Sequence, residues 1–122
     1  MYDFNHIERL KLDREKRIDR SFVKCGDLKF CVYCIVIDND LVYIGKARDM
    51  WKRLDTYRNS KYWKVANPSN ILKTCRLEMA IRKRKCVELR IITSNETDYH
   101  QLEVDMIRTH NPEWNHKLCL KH

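Results

Sequence analysis

The chain has 122 residues, 43% of them hydrophobic, and carries 25 Lys and Arg against 17 Asp and Glu for a formal net charge of +8. This suffices for one domain with a modest core, and no run approaches the ~20 apolar residues of a membrane span. A basic excess spread over several segments points to a polyanionic partner, either nucleic acid or an anionic surface.

The opening Met1-Tyr2-Asp3-Phe4-Asn5 runs straight into charge and lacks the apolar stretch of a secretory leader, so a cytoplasmic location is expected. The six cysteines, Cys25, Cys31, Cys34, Cys75, Cys86 and Cys119, are then read as reduced thiols. Residues Asn5 to Lys24 are predicted as a helix with a sparse apolar stripe of Ile7, Leu10, Ile18 and Phe22, broken at Gly26-Asp27. The chain thus divides into an N-terminal helical extension, 1–28, and a domain, 29–122.

Lys29 to Ile37 is apolar on both alternating faces, the pattern of a central strand. Cys31 and Cys34 are spaced as a C-x-x-C pair, but three positions apart in a strand they point to opposite faces and do not share a metal. Asp38-Asn39-Asp40 reads as a turn and Leu41 to Gly45 as the returning strand. A three-residue loop pairs Ile37 with Leu41, Ile35 with Tyr43 and Tyr33 with Gly45. Both tyrosines then share a face, and the glycine leaves room beside Tyr33. A two-residue loop at Asn39-Asp40 would send the tyrosines to opposite faces. The three-residue loop is expected because it gathers the polar aromatics at one site.

Asp49 suits a helix cap, and the helix to about Asn59 buries Met50, Leu54 and Tyr57, with Arg53 on the same stripe. Lys61-Tyr62-Trp63-Lys64 alternates base and aromatic, as either a packed loop or a stacking platform. A second helix begins at Ser69 or Asn70 and runs to about Lys85, ending in Arg82-Lys83-Arg84-Lys85 as a solvated helix end or a phosphate contact. Cys86 to Ile92 reads as a third strand. Thr93-Ser94-Asn95-Glu96 resembles a capping box opening a helix to about His110. Glu103 falls among the apolar Tyr99, Leu102, Met106 and Ile107 of that helix, where a carboxylate needs a partner, a proton or a metal. His110, His116, Cys119 and His122 would group near the C-terminus, but their spacing matches no standard zinc pattern. The fold class is α/β (α+β): a small three-stranded, mainly antiparallel sheet flanked by helices, preceded by the N-terminal helix.

Tyr33, the run Tyr43-Ile44-Gly45-Lys46, Arg53, and then Glu103, Ile107, Pro112 and Asn115 occur in an order that resembles the GIY-YIG nuclease family over about 29–117, with its phage-encoded members nearest in spacing. Two positions depart from that pattern: Cys31 stands where the family has a glycine, and Tyr57 where a histidine is common. The resemblance implies a metal-dependent DNA endonuclease, encoded by a phage or mobile element, with Mg²⁺, or alternatively Mn²⁺, on Glu103. It implies that Tyr33 takes the proton of the attacking water with Lys46 as the nearby cation, that Arg53 binds the non-bridging oxygens, that Tyr43 and Tyr57 orient water and phosphate, and that Asn115 braces the site.

Lys61, Trp63, Lys64, Lys73, Arg76, Arg82, Lys83 and Arg84 are the expected DNA contacts. Because one such site cuts one strand at a time, a homo-oligomer is expected, at least on DNA, with the N-terminal stripe at its interface. Two other classes stay open: a basic nucleic-acid-binding module without catalysis, and an interaction protein that docks through its N-terminal helix. Residue by residue, the two strand tyrosines also read as half-buried sheet aromatics, and Arg53 as an ion-pair partner of Glu103.

Overall fold

A computed structural model describes residues 4–117. Four strands, β1 (His6–Arg9), β2 (Lys29–Ile37), β3 (Asp40–Asp49) and β4 (Val87–Thr93), form one antiparallel sheet in the order β1-β4-β2-β3. The helices are α1 (Met50–Asn59), α2 (Pro68–Arg82), α3 (Tyr99–His110) and the short α4 (Glu113–Lys117), with a 3-10 turn at Ser60–Tyr62. Among the described residues no helix is long and apolar enough to cross a membrane.

β2 is central, as its two apolar faces require. Cys31, Tyr33 and Ile35 on one face pack with Met50, Leu54 and Tyr57 of α1, Leu77 and Ala80 of α2, and Trp114 of α4. Val32, Cys34 and Val36 on the other join Ile44 of β3 and Tyr99 and Met106 of α3. The two cysteines therefore lie in different clusters, and burial pushes their thiols up, to about 11 for Cys31 and about 12 for Cys34. Of the four-residue C-terminal His/Cys group, Cys119 and His122 lie outside the described residues; within them no group of three or more His, Cys, Asp or Glu could hold a metal ion.

The N-terminal helix is not formed. Residues 6–9 are the edge strand β1, paired with β4, which makes the sheet four-stranded. Residues 10–24 fold back along α1 around a Leu12–Ile18 bridge. Ile18 is fully buried in the main core with Leu10 and Val23. The charges of this segment are partners of α1: Arg20 meets Asp55 at 2.7 Å, Arg17 donates to Asn59 at 2.7 Å, and Arg58 pairs with Asp13. Four apolar residues spread over sixteen positions are too few to hold a helix to a core, whereas β4 offers a strand edge four residues long. The described part of the expected extension is thus joined to the sheet through β1 and to the core through Leu10, Ile18 and Val23.

The β2–β3 hairpin turns on two residues, not three. Asp38 and Asn39 have φ of 49° and 70°, the left-handed region that short Asp and Asn side chains tolerate. Ile37 therefore pairs with Asp40 and Val36 with Leu41; a bulge then restores Ile35–Tyr43 and Tyr33–Gly45. The extra residue, Val42, is buried on the same side as Tyr43. The expected pairing at the tyrosines holds, reached by a tighter turn and a bulge.

Asp49 caps α1 by accepting the Trp51 N–H at 3.1 Å. α3 starts at Tyr99, later than the capping-box reading, because the Asn95 side chain accepts the N–H groups of Thr97 and Asp98 at 3.0 and 2.9 Å and holds the chain in a turn there.

Ile18→Ala is expected to cost about 2–5 kcal/mol in urea unfolding, the range for emptying a buried aliphatic site. A cost under about 0.5 kcal/mol would place residues 10–24 outside the cooperative core.

Candidate active site

Gly45 sits in β3 opposite Tyr33. A Cβ there would lie 2.6 Å from both Cζ and Oη of Tyr33 and 2.8 Å from Cε2 of Tyr43. Such contacts are excluded for packed rings, so the glycine exists to let two phenols close over the strand. Cys31, at the position of the other family glycine, is tolerated because it faces the small Ala47.

Tyr33 is 1% exposed, and its hydroxyl lies 2.5 Å from that of Tyr57, itself 1% exposed. Burial, with the neighbouring Tyr57 and Tyr43, raises the Tyr33 phenol well above its usual range against the pull of Arg53. Burial likewise raises Tyr57, beyond the range of ordinary phenols. Tyr43 is only half-buried; burial raises it, and Arg53 is the main opposing influence. Lys73 of α2 donates to the Tyr43 hydroxyl at 3.2 Å and lies 4.3 Å from the centre of its ring.

Arg53, half-buried on α1, sits in the field of Tyr33, Tyr57, Tyr43 and Glu103; burial opposes its charge, and these groups together keep its proton on more firmly than usual. Its guanidinium is not the ion-pair partner of Glu103. That carboxylate, 17% exposed, lies 3.8 Å from Lys46. Burial raises the Glu103 pKa, while Lys46, His100, Arg53 and Lys73 hold it down. Beside Arg53 an open groove is lined by Ala47, Arg48, Asp49, Lys52 and Thr56.

Asn115 of α4 closes the arrangement. Its Oδ1 accepts the Ile44 N–H and its Nδ2 donates to the Ile44 carbonyl, both at 2.9 Å. β3 is an edge strand, and this one side chain satisfies the outward-facing backbone groups of the residue before Gly45.

Tyr33, Tyr43, Arg53, Tyr57, Glu103, Lys46 and Asn115 are therefore all brought to the middle of β3, around Tyr43–Lys46. Two expected relations differ. Lys46 is not the cation beside Tyr33: next to Gly45 in a strand it points to the other face, 2.6 Å from His100 Nδ1. The cations among the phenols are Arg53 and Lys73. Lys73, expected as a surface phosphate contact, is 6% exposed, and burial followed by the repulsion of Arg53 lowers its pKa to about 8. The missed signal was helical spacing: Lys73 shares a row with the buried Leu77 and Ala80.

The other expected DNA contacts are scattered. Lys61 is engaged by the buried Glu78 at 2.5 Å. Trp63, 44% exposed, and Lys64 lie open in the loop between α1 and α2. Arg76 reaches toward the Trp114 ring. Arg82, Lys83 and Arg84 are exposed at the C-terminal end of α2, with Arg82 3.8 Å from Glu78. A helix rise of ~1.5 Å per residue puts them roughly 14 Å along α2 from Lys73.

Comparison with known proteins matches residues 30–116 to the UvrC-like GIY-YIG domain. The UvrABC system protein C of Mycoplasma mycoides subsp. mycoides SC is 37% identical over 78 residues, 64% of this chain and 11% of that protein. Its namesake in Ligilactobacillus salivarius is 32% identical over 103 residues, 84% of this chain and 15% of that protein. The chain thus spans only a small part of the length of these relatives. Among solved structures, an EndoII mutant of bacteriophage T4 superposes with a TM-score of 0.71 at 24% identity over 88% of both chains, a shared fold.

Two stability measurements follow from this geometry. Gly45→Ala is expected to destabilise by about 1–3 kcal/mol through overpacking against both rings; an unchanged unfolding midpoint would mean that the rings are not seated as described. For Lys73, the folded pKa of about 8 lies below the ordinary lysine value of 10.5. Between those values the unfolded chain holds a proton that the folded one has shed, so the cost of burying this ammonium is complete and constant below pH 8 and falls as pH rises from 8 toward 10.5. Lys73→Met is therefore expected to be more stable than the parent at pH 7, by up to about 3 kcal/mol, with the gap narrowing above pH 8. A gap independent of pH would contradict the burial of the ammonium.

Proposed function

Because the chain belongs to the UvrC-like GIY-YIG domain family, we propose that it is a metal-dependent DNA endonuclease hydrolysing phosphodiester bonds at the site formed by Tyr43, Arg53 and Glu103. One observation carries this reading. A half-buried phenol, an arginine not paired with the neighbouring carboxylate, and that partly desolvated carboxylate influence one another around the middle of one strand.

Phosphodiester hydrolysis requires a deprotonated water, neutralisation of charge on the phosphoryl oxygens and relief of the leaving oxygen. Arg53 binds the non-bridging oxygens, for which a planar, permanently charged fork is suited. Tyr43 takes the proton of the attacking water. Tyr33, first in line from the family order, is enclosed and bonded to Tyr57, so it braces Tyr43 from beneath. Asn115 fixes the strand that carries Tyr43.

Glu103 fits a Mg²⁺ ion, or Mn²⁺ in its place. A single carboxylate, with water and substrate phosphate oxygens completing the shell, is how Mg²⁺ is commonly held in phosphate chemistry, and the long 3.8 Å contact to Lys46 leaves the carboxylate displaceable. The ion, when bound, supplies charge neutralisation at the phosphoryl group and leaving oxygen. Lys64, Trp63 and the groove of Arg48 and Lys52 beside Arg53 offer phosphate and base contacts along the approach.

A homo-oligomer on DNA remains part of the proposal, since one site cuts one strand. The N-terminal stripe does not supply its interface, because Leu10 and Ile18 are in the core.

Glu103→Gln and Tyr43→Phe are each expected to slow Mg²⁺-dependent plasmid nicking by at least about a hundredfold, the scale of losing a charge-stabilising group or a general base, while a gel shift in Ca²⁺ persists. Near-normal nicking by Glu103→Gln would remove the metal assignment. Binding by the parent protein without cleavage in either Mg²⁺ or Mn²⁺ would favour the non-catalytic binding module.

A further inference from the structure

A lysine that binds phosphate keeps its ammonium in water. Lys73 does not: the residue is 6% exposed, lies among the phenols, and directs its Nζ to the Tyr43 oxygen at 3.2 Å. Holding a cation there is costly, and no carboxylate forms an ion pair with it among the described residues; Glu103 acts on it only through space, its own contact going to Lys46. The groups facing Lys73 are Tyr43 from β3, Arg53 and Tyr57 from α1, and Glu103 from α3. Two are phenols raised by burial, and one is a fixed cation that repels it.

This arrangement answers a difficulty in the proposed mechanism. A buried phenol is a poor base near neutral pH because its anion is scarce. An amine bonded to its oxygen changes that. Loss of one proton from the phenol–ammonium pair gives either phenol with amine or phenolate with ammonium. These are one protonation state, and the pair titrates as a unit.

We propose that Lys73 and Tyr43 form a single proton-accepting pair, in which the attacking water gives a proton to Tyr43 Oη while the Tyr43 hydroxyl proton passes to Lys73 Nζ. The inference rests on the nuclease reading of the same site. The water O–H bond breaks and its oxygen bonds to phosphorus. The phosphorus bond to the leaving sugar oxygen breaks, its electron pair staying on that oxygen, which solvent protonates. Lys73 finishes as an ammonium and returns its proton to water. Lys73 touches no reacting atom and acts through Tyr43. The partner amine answers the departure at Tyr57, where no histidine stands to assist.

The test has two arms. In single-turnover cleavage with saturating DNA and Mg²⁺, the rate of the parent protein is expected to rise with pH and level off near the pair's ionisation, at about 8. In Lys73→Met the rise is expected to continue to pH values at least about one unit higher, with a rate at pH 7 lower by at least about tenfold. Lys73→Arg keeps the charge but cannot accept the proton at these pH values, so it is expected to keep DNA affinity without restoring the rate. If Lys73→Met only weakens DNA binding and Lys73→Arg restores both binding and rate, with the pH profile unmoved, Lys73 is a phosphate contact and the proposal is overturned.

The second arm does not depend on cleavage. The ¹³Cε signal of Lys73, assigned by its loss in Lys73→Met or Lys73→Gln, is expected to titrate well below the exposed lysines and to shift by at least about half a pH unit in Tyr43→Phe, as coupled sites do. Titration with the exposed lysines, or indifference to Tyr43→Phe, overturns the pair. A coupled titration in a protein that cleaves nothing would sink the nuclease reading and leave the pairing standing.

Discussion

The close approach of the Tyr33 ring to the backbone of Gly45 sets the rest of the site. With no Cβ in the way, Tyr33 lies flat enough to reach Tyr57 on α1 with its hydroxyl, and the Tyr43 ring stands beside it, the ring centroids 6.1 Å apart. That packing fixes α1 over the sheet, and α1 carries Arg53 into the same space. Lys73 on α2 then meets the only one of the three phenols with an open side. One missing methyl group thus positions a phenol, a guanidinium and an amine on three elements.

The second constraint is the exposed edge of β3. An edge strand bearing functional side chains must be held without being covered by another strand. Asn115 does this with two hydrogen bonds to Ile44, and Pro112 and Trp114 anchor the short α4 that carries it; both are buried. Around this edge α3 brings Glu103 from the other face of the sheet. The middle of β3 therefore has the phenols on one side and the carboxylate on the other, with Lys46, one residue after Gly45, held to Glu103 and His100.

Much of this was legible in the residues. Choosing the hairpin register that gathers the polar aromatics puts Tyr33 and Tyr43 on one face, helical spacing puts Arg53 on the buried stripe of α1, and Glu103 stands out as a carboxylate among apolar neighbours. The failures have physical causes. The hairpin register was inferred from the wrong turn because a bulge changes the count while leaving the tyrosines paired as expected. Asn5 to Lys24 reads as a helix from sequence because the partners of residues 13–20, Asp55, Arg58 and Asn59, lie about forty residues away, and sequence periodicity carries no long-range pairing. Lys73 was read as a surface base from its residue type, although its row with Leu77 and Ala80 already put it inside. The resemblance implies Lys46 as the cation beside Tyr33, but a residue adjacent to Gly45 in a strand points to the opposite face.

On the proposed reading one phosphodiester is seated beside the middle of β3, between Arg53 and Tyr43, with a divalent ion on Glu103. A crystal structure of the protein with a DNA duplex and Ca²⁺ in place of Mg²⁺ tests it most directly. A backbone phosphate within hydrogen-bonding reach of Arg53, with Ca²⁺ held by Glu103 and the Tyr43 hydroxyl facing the phosphate, is the expected result. DNA seated instead on the exposed end of α2 at Arg82–Arg84, with no phosphate near Tyr43 and no ion on Glu103, would contradict it.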